Sequence, residues 1–290
     1  MLHIPPLPEI RYARIQPSAR FRYDGDRFSY LEAKPENPEA PVVLMLHGIG
    51  AHAAYFRFQL AALSQHFRVI AWNAPGYGLS DVMKTNTPTD RDYAIAVADF
   101  ADSLGLSSFS LTGNSFGSAV AQSFAIHFPE RLHCLLLSGT GVGQIAISAE
   151  RKRSFEQRLK DLEKGGYQYA DGGVDRLVAA NTPDPVKELM IDVSRGLFPA
   201  GLERAVAFRL SNFFSPSHSD KLTMPILLIQ GSEDKTNPRE ENADLLKAAI
   251  PQCEFEEWQG IGHLPEIEAS ERFNSTLKAF VERHSRSTTK

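Results

Sequence analysis

The segment "SSFSLTGNSFGSAVAQSFAIHF" at 107–128 decides the fold. Residues 108–113 are a short strand-forming run, and 116–128 are small and apolar residues with helical spacing, stopped by Pro129. The seam between them is "GNSFG" (113–117), a serine between glycines. A chain that needed only a turn there could use Asn-Gly or Pro-Gly. A serine at the tip of a sharp strand-to-helix turn needs more, because only residues without side chains let strand and helix approach so closely. Ser118 and Ala121 keep the packing under the turn small. The Phe116 N–H then lies at a helix start and points toward developing negative charge. Ser115 is the candidate nucleophile, in the strand-turn-helix context that such chemistry requires.

Outward from this seam the alternation repeats. Apolar runs at 41–48, 68–76, 132–139, 224–231 and 253–260 read as strands, mostly buried on both faces. Helix-period runs fall at 53–67, 90–105, 238–250 and 269–284. The run 21–33 reads as two strands around the turn Asp24-Gly25. Strand-helix alternation predicts an α/β fold with a mostly parallel, doubly wound sheet, and ligands then bind at the carboxyl ends of the strands. Residues 141–219 break the pattern with charged helical segments and no strand run. They read as a helical cap inserted into a core made of 1–140 and 220–290.

Length and composition narrow the class. The chain has 290 residues, 42% hydrophobic and 23% charged, with net charge −4. That suits one large α/β domain with an insertion, or two domains. No basic patch or charged tail points to nucleic acid. No apolar run is long enough to span a membrane, and the first residues lack the apolar core of a signal peptide. A cytoplasmic location is expected. Cys134 and Cys253 read as buried reduced thiols. No metal-ligand spacing and no phosphate-binding glycine loop is present, so no metal and no cofactor is expected.

A serine hydroxyl needs a base, and the base needs an orienting group. Asp234 and Glu233 follow the strand at 224–231, and His263 follows the strand at 253–260, all on the sheet edge where Ser115 sits. Gly260 and Gly262 leave room for the imidazole. The stretch "LHGIGAH" (46–52) ends a strand with glycines that turn N–H groups inward. It reads as the second half of an oxyanion hole, with Ile49 as donor beside Phe116 and His47 as scaffold.

The ordered set "HGIG" (47–50), "NAPGYGLSD" (73–81), "GNSFG" (113–117), "GSEDKTNP" (231–238) and "GIGHLPE" (260–266) resembles the α/β-hydrolase superfamily, in its capped serine-hydrolase branch. The resemblance covers nearly all of the chain outside the cap. It implies a Ser115–His263–Asp234 triad, since the acid of this family usually ends a G-x-x-D stretch. Asn73 stands where the family usually has Asp, which bears on one local contact. The serine at 115 speaks against relatives that use an aspartate nucleophile. The implied activity is hydrolysis of a carboxylic ester or lactone of a small-to-medium acyl substrate, and the cap layout is similar to that of enol-lactone hydrolases. Two other readings stand beside it. One is a carbon–carbon bond hydrolase of the meta-cleavage-product type, whose "GNSMG" is close to "GNSFG", although "HGIGAHA" departs from its usual "HGSGPG". The other is a ligand-binding receptor on the same fold.

The cap holds Phe155, Tyr167, Tyr169, Phe198, Phe208, Phe213 and Phe214, enough to line an apolar pocket, and seven arginines from Arg151 to Arg209. Arg204, Phe208 and Arg209 lie at near-helical spacing and are candidate pocket residues, the arginines for a substrate carboxylate.

Overall fold

In a computed structural model describing residues 3–144, 149–163, 173–195 and 197–285, eight strands form one sheet. They are β1 (Ile10–Arg14), β2 (Arg27–Ala33), β3 (Val42–Leu46), β4 (Arg68–Trp72), β5 (Phe109–Asn114), β6 (Leu132–Ser138), β7 (Ile226–Gly231) and β8 (Glu254–Trp258). Their order is β1-β2-β4-β3-β5-β6-β7-β8. β2 runs antiparallel to β1 and β4, and every pair from β4 to β8 is parallel. The central strands read as unbroken apolar runs because both faces are covered. Along β3, Leu44 and Leu46 face one core while Val43 and Met45 face the other.

Helices α1 (Arg57–Leu63) and α2 (Asp90–Ser103) flank opposite faces, and α3 (Phe116–His127) follows β5. Tyr93, Phe100, Phe116 and Phe124 of α2 and α3 fill the first core. α1 fills the second with Phe58 and Leu60. Between β6 and β7 come α4 (Ala149–Glu163), α5 (Asp184–Ser194) and α6 (Pro199–Arg209), and no strand among the described residues. Val186, Leu189, Met190 and Val193 of α5 join the second core, whereas Ala205 and Phe208 of α6 join the first. The chain closes with α7 (Ala243–Ala249), α8 (Pro265–Glu268) and α9 (Ser270–Ser285). Among the described residues, no helix is long and apolar enough to cross a membrane. Cys134 and Cys253 are buried and unbridged.

The N-terminal region corrects the sequence reading. Only the second half of 21–33 is a strand, and Arg20–Arg22 is a single 3₁₀ turn. On its outer side β2 pairs with β1, whose residues are exposed except Ala13. An edge strand with one buried residue carries little of the alternation that marks a strand. The runs read as helices at 53–67 and 238–250 are each split, by a 3₁₀ turn at Ala53–Phe56 and at Arg239–Glu241.

Candidate active site

Ser115 is the only described non-glycine residue with positive φ, at φ 56° and ψ −115°. That conformation is strained for an L-residue and persists only where its surroundings impose it. Here the Ser115 N–H donates to Ser138 O at 3.1 Å, extending the β5–β6 ladder by one residue. Its carbonyl accepts from the Ser118 hydroxyl at 2.6 Å. Both glycines of the turn are required by space. A Cβ on Gly113 would lie 2.3 Å from Gly117 O, and one on Gly117 would lie 2.1 Å from Leu46 O.

His263 sits in the loop after β8, and its main-chain N–H donates to Leu177 O at 2.7 Å. Its ring Nδ1 is 2.8 Å from Asp234 Oδ2, and both side chains are buried. Asp234 Oδ1 accepts from the N–H groups of Thr236 and Asn237, each at 2.9 Å. Gln230 Nε2 adds a longer bond of 3.4 Å to Oδ2. Burial alone would raise the Asp234 pKa. The charge and hydrogen bond of His263, with the Asn237 and Thr236 N–H groups, outweigh burial and hold it below the ordinary carboxylate range. Asp234 is therefore an anion, and its hydrogen bond places the imidazole proton on Nδ1. His263 Nε2 is buried with no hydrogen-bond partner. Glu233 points elsewhere and accepts from Ala180 N–H at 2.9 Å.

Ser115 and His263 line the same cavity of about 30 Å³, together with Ile49, Tyr55, Leu177 and Met190. That volume admits about one or two water molecules. Close by, His47 Nδ1 contacts Gly48 O at 2.9 Å, and His47 Nε2 accepts from Ala74 N–H at 3.1 Å. Burial pushes the His47 pKa down to about 3, so the ring is neutral and Nδ1 is its donor. The Ala51 N–H donates to the same Gly48 carbonyl at 3.1 Å. In a trans peptide the following N–H points opposite to that carbonyl. The Ile49 N–H is thus turned away from His47, at a residue that lines the cavity. Phe116 is the first residue of α3, where an N–H has no acceptor within its own helix. Asn73 accepts from Ala53 N–H at 2.8 Å and donates to Ser29 Oγ at 2.8 Å, a donor that an aspartate would lack.

The three cap residues singled out from sequence lie elsewhere. Arg204 bonds Met83 O at 3.3 Å and Asn86 Oδ1, tying α6 to the segment after β4. Phe208 is buried against Tyr93, Phe116 and Phe213. Arg209 lies beside Gly141, where an added Cβ would be 3.1 Å from its Nη1. None of the three lines the cavity. Phe213 is core, Phe214 packs on it, and Phe198 is 49% exposed. Tyr167 and Tyr169 lie outside the described residues, as do the side chains of Arg151, Phe155 and Arg158.

Residues 43–276 match the alpha/beta hydrolase family. The chain belongs to this family. As such it is a hydrolytic enzyme. The dihydrolipoyllysine-residue acetyltransferase component of the acetoin cleaving system of Cupriavidus necator is 28% identical over 271 residues, covering 88% of this chain and 66% of that protein. RutD of Escherichia coli O44:H18, which carries the assignment carbamate hydrolase, is 26% identical over 261 residues, covering 84% and 90%. The structure of a thermophilic esterase from Thermogutta terrifontis, with malate bound, shares the fold at TM-score 0.82 and 24% identity, covering 95% of this chain and 99% of that one.

Two carboxylates near the site were not foreseen in this hydrolase. Glu268 accepts from the N–H groups of Ala179, Gly262 and Leu264, pinning the histidine loop to the chain before α5. Glu266 is wholly buried and accepts from Tyr55 and Ser138. Both belong to "HLPEIE" (263–268), where acids three and five residues after a histidine look like solvated helix-start residues. Pro265, which opens α8 and turns the chain back on the sheet, is the available signal.

Proposed function

We propose that this enzyme cleaves a carboxylic ester or lactone of a small-to-medium substrate through an acyl-enzyme on Ser115. The observation that supports this most strongly is the buried Asp234–His263 pair at 2.8 Å, opening with Ser115 on one cavity. Ser115 Oγ attacks the carbonyl carbon and passes its proton to His263 Nε2. The imidazolium protonates the leaving oxygen, and the C–O bond breaks. Water, deprotonated by His263, then attacks the acyl carbon and releases Ser115. Asp234 holds the tautomer and stabilises the imidazolium, and the Ile49 and Phe116 N–H groups receive the oxyanion. Residues 141–219 act as the cap, and Leu177 and Met190 from it limit the acyl group. Apart from Ser115 and His263, the described wall mixes apolar residues with Tyr55, Asn114 and Thr236 and carries no Lys, Arg, Asp or Glu, which favours an uncharged acyl group of modest length over a long chain. A fluorophosphonate probe should label Ser115 stoichiometrically, and Ser115→Ala should abolish both labelling and ester hydrolysis. Labelling of the Ala variant at another residue, or a Ser115→Ala enzyme that still turns over p-nitrophenyl acetate, would overturn the reading.

A further inference from the structure

The triad leaves one buried carboxyl beside it without a role. Glu266 has no exposed surface. One oxygen, Oε2, accepts from Tyr55 Oη at 2.7 Å and from Asn114 Nδ2 at 3.3 Å. The other, Oε1, accepts from Ser138 Oγ. Among the described residues none of its partners is a cation. Buried carboxyls without a countercharge are costly, and one encircled by three neutral donors calls for a reason.

The partners supply it. Asn114 immediately precedes Ser115, and its Nδ2 also donates to the main-chain O of His263 at 3.0 Å. Ser138 is the residue whose carbonyl receives the Ser115 N–H. Tyr55 lines the cavity. Glu266 thus sits where the serine turn, the histidine loop and one cavity wall meet. Gln59 of α1 secures its main chain by donating to Glu266 O at 2.9 Å.

We propose that Glu266 is a positioning residue of the reaction, holding Asn114 and Tyr55 so that the His263 main chain and the cavity wall stay in register with Ser115. The inference rests on the serine-hydrolase reading above. Its carboxylate form is the competent one, because an anion strengthens all three bonds, whereas the protonated acid turns a donor of its own toward a ring of donors. Burial first raises its pKa, to about 7, against the bonds from Ser138 and Tyr55 and the charge of His263. The titratable groups facing it are Tyr55, from the 3₁₀ turn before α1, and His263, from the loop after β8. Glu268 of α8 lies near Tyr55, and β5 and β6 contribute only Asn114 and Ser138.

Glu266→Gln keeps the shape but turns an amide NH₂ toward groups that donate. On p-nitrophenyl acetate, kcat should fall on the order of 10²-fold, with KM within about threefold, as expected for small misplacement of reacting groups. The acidic limb of kcat/KM in the parent enzyme should report uptake of more than one proton as pH falls, and Glu266→Gln should take up one fewer. Tyr55→Phe removes one donor to the carboxylate and should move that limb to higher pH, which keeps the test open if the Gln variant folds poorly. Parent-like kcat and an unchanged limb in Glu266→Gln would overturn the proposal. So would a Tyr55→Phe limb that does not move. Fluorophosphonate labelling of Ser115 in the same preparations separates this outcome from failure of the serine reading, which would abolish labelling in the parent as well.

Discussion

At the scale of single residues, the choice between adjacent carboxylates at 233 and 234 turns on direction. Asp234 points its Oδ2 at the His263 ring, whereas Glu233 points at the main chain of Ala180. In Asp234→Asn the side-chain oxygen should stay with the Thr236 and Asn237 N–H groups, leaving the amide NH₂ against Nδ1. The imidazole must then carry its proton on Nε2, where it cannot act as a base. A loss of roughly 10³-fold or more in kcat is expected, with little change in Tm, as for other triad acids exchanged this way. Glu233→Gln should keep activity within a few-fold, because its task is a bond to the cap. Kinetics of the two variants side by side check the assignment, and the reverse pattern would make Glu233 the acid.

At the scale of elements, the turn between β5 and α3 is built on contact distance. A methyl group on Gly117 would lie 2.1 Å from Leu46 O and 2.7 Å from His47 O, both main-chain atoms of the neighbouring strand end. Gly117→Ala should destabilise by roughly 2–3 kcal/mol or more, since overpacking here cannot relax through a side chain. Chemical denaturation would show it, and a variant as stable as the parent would mean the turn yields more easily than its packing implies. This turn was legible in the sequence because the chemistry, the glycines and the change from strand to helix coincide within five residues. The central strands were legible because burial on both faces writes an apolar run. β1 was not, because an edge strand buries only Ala13 and its identity comes from pairing with β2. The cap side chains were not legible for a related reason. A buried aromatic such as Phe208 has the same sequence signature whether it faces a ligand or Tyr93 and Phe116. Glu266 is hidden for the opposite reason, as nothing in a loop carboxylate's neighbours along the chain tells that three donors from distant strands and turns will enclose it.

At the scale of the whole molecule, His47, His52, His133 and Glu266 set much of how stability varies with pH. His47 is held neutral down to about 3 by burial, and His52 to about 4 by burial and then the Arg57 charge. In the unfolded chain both take up a proton near 6.5, so below that pH the unfolded state binds protons the folded state refuses, and stability falls. Glu266 works the other way. Its folded value of about 7 lies above the ordinary 4.5, so its buried charge costs most above pH 7 and the cost fades as pH drops toward 4.5. His47, His52 and Glu266 each contribute a slope of about 1.4 kcal/mol per pH unit within their windows. Between 6.5 and 7 Glu266 acts alone among these groups, and below 6.5 His47 and His52, joined by His133, which burial also holds low, outweigh it. Tm should therefore peak close to pH 6.5 and decline on the acid side, with Asp234 adding to the decline below 3.8, its ordinary value. His52→Asn offers a direct test. The side chain of His52 caps the 3₁₀ turn by accepting from Ala54 N–H, a task asparagine performs well. With one histidine gone, one group's slope is lost, and Tm of the variant should fall less steeply than that of the parent from pH 6.5 to 4.5. An acid decline as steep in His52→Asn as in the parent would show that His52 takes up its proton without cost to the fold.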